Sequence, residues 1–219
     1  MQGHKSPTLT FCKSPILWPL LLFTAVCFTA PLPTHIQSAF AAGGFIERVI
    51  VNTSNAPYAK TMDVWTYRPS NYSSTSRVLV VIHGARRNAK TYMSSWNRAA
   101  ELYSVMIIAP RFTKKAWPKS RNFNLARLMD KKQRLRPISQ TAFATIERIF
   151  DTIIKRYRNR QTSYYLYGHS AGGQFVHRMV MFHPTARIKA AVAANAGWYT
   201  MPTNLVGFPY GLATTGLSG

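Results

Sequence analysis

Acidic residues are what this chain has least of. Six Asp and Glu stand against 28 Lys and Arg in 219 residues, for a net charge of +22. All six (Glu47, Asp63, Glu101, Asp130, Glu147 and Asp151) lie in the first 151 positions. Such an imbalance points to polyanions as possible partners: nucleic acid, anionic lipid or an acidic polymer. Cysteine is nearly absent too. Cys12 and Cys27 both lie in an N-terminal stretch that reads as a leader, so the chain after it holds no disulfide, no thiolate chemistry and no cysteine metal site. No metal-binding or cofactor motif is present, and no internal repeat. The longest apolar run, Ile16 to Ala30, is 15 residues interrupted by Pro19, against about 20 for a membrane span.

What is there begins with that leader. Lys5 and Lys13 form a basic segment, the apolar run follows, and Ala39-Phe40-Ala41 supplies small residues at the −3 and −1 positions of a cleavage site. Residues 1–41 therefore read as a signal peptide, with an uncleaved anchor as the other reading, and residues 42–219 as one domain. The expected location is secreted or periplasmic, with no transmembrane span in the mature chain. A hydrophobic content of 47% suits one domain with a sizeable core.

The mature chain alternates strand and helix patterns. Phe45–Asn52 and Met62–Arg68 read as two strands joined by turn chemistry at Asn55-Ala56-Pro57. Val78–Ile82 and Val105–Ala109 are continuous, largely β-branched runs, the pattern of strands buried on both faces of a parallel sheet. A single helix is expected between them, carrying Tyr92, Trp96 and Ala99. Residues 110–137 are irregular and basic, with Phe112, Trp117 and Phe123 interleaved among the cations. Thr141–Arg158 is an amphipathic helix. Tyr164–Tyr167 then reads as a strand, residues 171–182 as a helix, and Ile188–Ala194 as a last strand. The fold class is α/β: a mostly parallel sheet with flanking helices.

The sharpest motif is Gly168-His169-Ser170-Ala171-Gly172. A strand precedes it, a helix follows, and the serine stands at the apex of the turn between them. Such a turn leaves no room for side chains two residues before and after its apex, and Gly168 and Gly172 meet that need. The helix beginning behind the serine directs unpaired N–H groups, and the positive end of its dipole, at the reacting centre. Ser170 is the candidate nucleophile. His83-Gly84, after the strand Val78–Ile82, falls on the same carboxyl edge of the sheet.

On these two motifs the chain resembles the α/β-hydrolase superfamily. Val80-Val81-Ile82-His83-Gly84, Asn88, Trp96, Gly168 to Gly173 and Ala191 to Gly197 resemble in particular the secreted polyhydroxybutyrate-depolymerase and feruloyl-esterase-like group. The resemblance spans roughly residues 45–210. Ala85 stands where that group often has cysteine. The resemblance implies a serine esterase whose oxyanion hole is formed by the backbone N–H groups of Ala171 and Ala85, with Gly84 allowing close approach. It implies no cofactor and an ester substrate.

In this fold the acid and the histidine follow the nucleophile along the chain. No Asp or Glu follows Ser170, and only His177 and His183 do. His177 is about 10 Å along the helix from Ser170, and His183 is further. His169 is expected to point away from the serine hydroxyl, and His83 to be structural. The strand Ile188–Ala194 is expected to be an uncovered edge, as if the last strands and helix of the fold were missing. The expectation is a serine hydrolase of the carboxylic-ester class, C-terminally incomplete and inactive as given. The competing reading is a non-catalytic polyanion-binding protein on the same scaffold, binding weakly through residues 111–136, and against that stands an ordinary solvated basic surface.

Overall fold

The computed structural model describes residues 43–53 and 60–217. The leader, its two cysteines and the Asn55-Ala56-Pro57 turn lie outside the described residues. Among the described residues no helix is long and apolar enough to cross a membrane.

Six strands form one sheet in the order β1-β2-β4-β3-β5-β6. They are β1 (Phe45–Asn52), β2 (Thr61–Arg68), β3 (Arg77–Ile82), β4 (Val105–Pro110), β5 (Tyr164–His169) and β6 (Ile188–Ala194). The β1–β2 and β2–β4 pairs are antiparallel. The β4–β3, β3–β5 and β5–β6 pairs are parallel. The helices are α1 (Ala89–Ser94), α2 (Asn97–Tyr103), α3 (Lys119–Asn122), α4 (Ala142–Arg156) and α5 (Ala171–Phe182), with a 3-10 turn at Ile138–Gln140.

Alternation along the buried strands sorts the core into two layers. Val78, Val80 and Ile82 of β3 and Met106 and Ile108 of β4 face α4 and α5, which contribute Phe143, Ile146, Phe150, Phe175 and Met179. Val81, Ile107 and Ala109 face the other way, toward Met93 of α1 and Ala100 of α2. At the start of α4 the Thr141 hydroxyl accepts from the Phe143 amide at 3.3 Å, an N-cap worth about 1 kcal/mol. The single helix expected after β3 is two short ones. Trp96 caps the second, and its ring packs edge-on against Tyr167 at 4.9 Å. Ser104, left-handed at φ 52, ends it.

The stretch read as irregular, residues 110–137, is largely so after β4 ends at Pro110, and its aromatic residues lie inside. Phe112, Trp117 and Phe123 are fully buried and stack with one another and with Phe175. At the far side of the sheet β6 pairs only with β5 among the described strands, and Val192 is 57% exposed. The small residues of β6 thus present an open edge and two partly bare faces.

Candidate active site

Ser170 stands between the end of β5 and the start of α5 with φ 57 and ψ −120. That conformation is sparsely populated for any residue with a side chain, and it persists only where the surroundings fix it. Two hydrogen bonds and two close backbone approaches fix it here. The Ser170 amide donates to the Ala194 carbonyl of β6 at 3.0 Å, and the Ser170 carbonyl accepts from the Gln174 amide at 3.0 Å. A side chain at Gly172 would run into the Ile82 carbonyl, and one at Gly168 into the Gly172 carbonyl. Glycine at both positions lets α5 start hard against the ends of β3 and β5. Ala171 is the first residue of α5, where helix geometry leaves the N–H without an intrahelical acceptor.

The opposite wall is the turn Gly84-Ala85-Arg86-Arg87, closed by the Arg87 amide donating to the Gly84 carbonyl at 3.1 Å. A β-carbon on Gly84 would lie 3.6 Å from the Ser170 β-carbon and 2.7 Å from the Tyr92 hydroxyl. The turn is held from behind. The buried Arg87 guanidinium donates to the carbonyls of Phe112 at 2.8 Å and Trp117 at 3.2 Å, and lies 3.9 Å from the Phe123 ring centre. Burial pushes its pKa down to about 10, so it stays charged at neutral pH. His83 is wholly buried, and its pKa falls to about 4, chiefly through burial and further through Arg87 and Arg111. It is a neutral structural imidazole, as expected.

Between these walls lies a cavity of about 400 Å³ that holds Ser170, Gly84, Ala85, Arg86, Tyr92 and His169, with Asn88 at its side. His169 lines the cavity, and its Nδ1 lies 2.9 Å from the Tyr92 hydroxyl rather than at the serine hydroxyl. Tyr92 and Arg86 line the same cavity and are not singled out by the sequence. Tyr92 falls at helical spacing with Trp96 and Ala99, and Arg86 is one cation among many. Neither had a local signal to separate it.

The two histidines that follow Ser170 lie elsewhere, as do the aromatic residues after β6. His177 Nε2 accepts from the Thr200 amide at 3.0 Å, so its Nδ1–H donates to the Gly173 carbonyl at 3.0 Å, and burial takes its pKa to about 4. His183 sits 3.3 Å from the Thr185 hydroxyl at the end of α5. Trp198 packs on Arg178 and Tyr210, and Tyr199 on His177. Among the described residues no imidazole or carboxylate is hydrogen-bonded to the Ser170 hydroxyl. A hollow of about 460 Å³ between α5 and β6 is larger than the Ser170 cavity, but it lies along the open sheet edge and no serine, threonine or cysteine lines it.

Comparison with solved structures agrees with the geometry. Poly(aspartic acid) hydrolase-1 from Sphingomonas sp. KT-1 is 38% identical with a TM-score of 0.71, over 80% of this chain and 65% of that one. A poly(3-hydroxybutyrate) depolymerase from Bordetella parapertussis is 34% identical with a TM-score of 0.72, over 84% and 62%. An acetyl xylan esterase from Aspergillus awamori shares the fold at 18% identity, with a TM-score of 0.52 over 68% of this chain and 50% of that one. This chain spans less than two thirds of the length of each of these three proteins. No protein-family model matches it, and no curated protein sequence does.

Proposed function

We propose, since this chain belongs to the α/β-hydrolase superfamily, that it is a serine hydrolase of the carboxylic-ester class with Ser170 as its nucleophile. The observation that carries the reading is the left-handed Ser170 backbone at the head of α5, facing the Gly84–Ala85 turn across an open cavity. Ser170 Oγ bonds to the carbonyl carbon, and the carbonyl oxygen takes up the negative charge. The N–H groups of Ala171 and Ala85 receive that oxygen. The hydroxyl proton passes to a base. In this fold the base is a histidine that follows the nucleophile in chain order and is oriented by an acid. His177 is committed to two backbone groups, and no acid follows Ser170. The 219-residue chain alone therefore turns substrate over slowly at best.

The Sphingomonas relative is a hydrolase of poly(aspartic acid), a polyanion. This chain's charge of +22 suits such a substrate. We take an acidic polymer as the first substrate class to test. The same charge supports the second reading, a non-catalytic polyanion binder acting through residues 111–136.

A fluorophosphonate probe separates the two. Slow covalent labelling that disappears in Ser170→Ala is expected of the hydrolase. Labelling equal in both proteins, or none after prolonged incubation, overturns that reading. Heparin binding that vanishes at moderate salt removes the binder.

A further inference from the structure

We propose that Arg86 makes the mouth of the Ser170 cavity an anion subsite, where a carboxylate or similar oxyanion of the substrate sits beside the bond to be cut. This rests on the serine-hydrolase reading above and adds how an acidic substrate is selected.

The turn explains why Arg86 faces the cavity. Its neighbour Arg87 is drawn inward, bonded to the carbonyls of Phe112 and Trp117. Arg86, at the tip of the same turn, is left exposed on the cavity wall. It forms no ion pair among the described residues, and it shares the cavity wall with the Tyr92 hydroxyl.

No carboxylate competes for it. All six acids of the chain are engaged away from this cavity. Glu47 pairs with Arg156, Asp63 with Arg111 and Asp130 with Arg134. Glu147 and Asp151 both pair with Arg187. Glu101 accepts from Tyr67 and Ser70. The other polar side chains on the wall are an amide, a phenol, an imidazole and the serine itself. A cavity with one uncompensated guanidinium and no acid concentrates anions. The planar guanidinium also suits a carboxylate, which it can hold through two parallel hydrogen bonds.

The test uses the full chain and needs no catalysis. In Ser170→Cys, the thiolate displaces iodide from iodoacetate (an anion) or from iodoacetamide (its neutral analogue). The rate at residue 170 is followed by mass spectrometry of the peptide that carries it. The ratio of the two rates reads the local preference for an anion, because a change in the thiol's own ionisation cancels. Adding Arg86→Gln is expected to lower that ratio about three- to fivefold, the size of a partly exposed charge pair. Lys155→Gln, the same loss of charge at an exposed position of α4, is expected to leave it unchanged. An unchanged ratio in Arg86→Gln overturns the proposal, as does an equal fall in Lys155→Gln or no alkylation at residue 170 by either reagent. Failure of the nucleophile reading appears separately, in the fluorophosphonate experiment.

Discussion

The backbone amide of Phe112 donates to Nε2 of His83 at 3.0 Å, which leaves the imidazole proton on Nδ1, 2.9 Å from the Gly84 carbonyl. This neutral ring ties the end of β3 to the start of the basic segment and fixes the approach to the Gly84–Ala85 turn. A protonated ring could not accept from Phe112.

A pH dependence follows. The His83 pKa in the fold, about 4, lies below its ordinary value of 6.5, with burial the largest cause. The unfolded chain therefore binds a proton in this interval that the folded chain refuses. The contribution to stability is fully present above pH 6.5 and is lost as the pH falls toward 4. His177, also held near 4, acts in the same direction. Glu47 and Glu101 have their pKa values lowered below 4.5, so their losses come at more acid pH. Between pH 7.5 and 5.0 urea unfolding is expected to lose about 2 kcal/mol for each of the two histidines, on the order of 4 kcal/mol together. A stability constant over that interval would mean that His83 is not held neutral.

The proposed oxyanion donor at Ala85 can be removed without disturbing its turn. Ala85 follows Gly84 in a turn closed by the Arg87 amide, the position where proline's fixed φ is favoured. Ala85 is exposed, and its N–H donates to no backbone carbonyl of the described residues. Ala85→Pro deletes that N–H and adds only two ring carbons at an exposed position. Fluorophosphonate labelling of Ser170 is expected to slow by about a hundredfold or more, with the thermal midpoint unchanged. Labelling at the wild-type rate would place the second donor elsewhere.

Much of the fold was legible because buried parallel strands are written as runs. β1, α5 and β6 match the ranges read from the sequence, and β3, β4 and β5 differ only at their ends. Gly168 and Gly172 located the elbow because its sterics admit almost nothing else. Other features depended on distant partners. His169 meets Tyr92 from 77 positions away, so neither could be assigned to the cavity from its own neighbours. The segment after β4 misled for a related reason. Phe112, Trp117 and Phe123 alternate in sequence with cations, yet the irregular backbone turns the rings inward. Sequence adjacency therefore did not amount to a shared surface. The break between α1 and α2 is set by Trp96 against Tyr167, a tertiary contact that helical spacing does not encode.

The last prediction concerns what fastens residues 198–212 to the body. Arg178 of α5 is fully buried with no carboxylate beside it, and burial pulls its pKa down to about 9. Its charge is spread over fixed acceptors from three segments. Nε donates to the Thr200 hydroxyl at 2.9 Å. One terminal nitrogen donates to the carbonyls of Gln174 at 2.8 Å and Asn124 at 3.3 Å. The other donates to the Pro209 carbonyl at 3.4 Å, and the guanidinium lies 4.3 Å from the Trp198 ring centre. A lysine keeps the charge but offers one compact ammonium, which cannot serve acceptors fanned out on three sides. Arg178→Lys is therefore expected to destabilise by about 2 kcal/mol or more, since hydrogen bonds to a buried charge are lost while its desolvation cost remains. The loss should be local first: amides across residues 198–212 exchange faster with solvent, while those of β3 and β5 keep their protection. Unchanged exchange in that segment would show that its own turns hold it, such as the Leu212 amide donating to the Thr203 carbonyl at 2.7 Å, and that Arg178 does not.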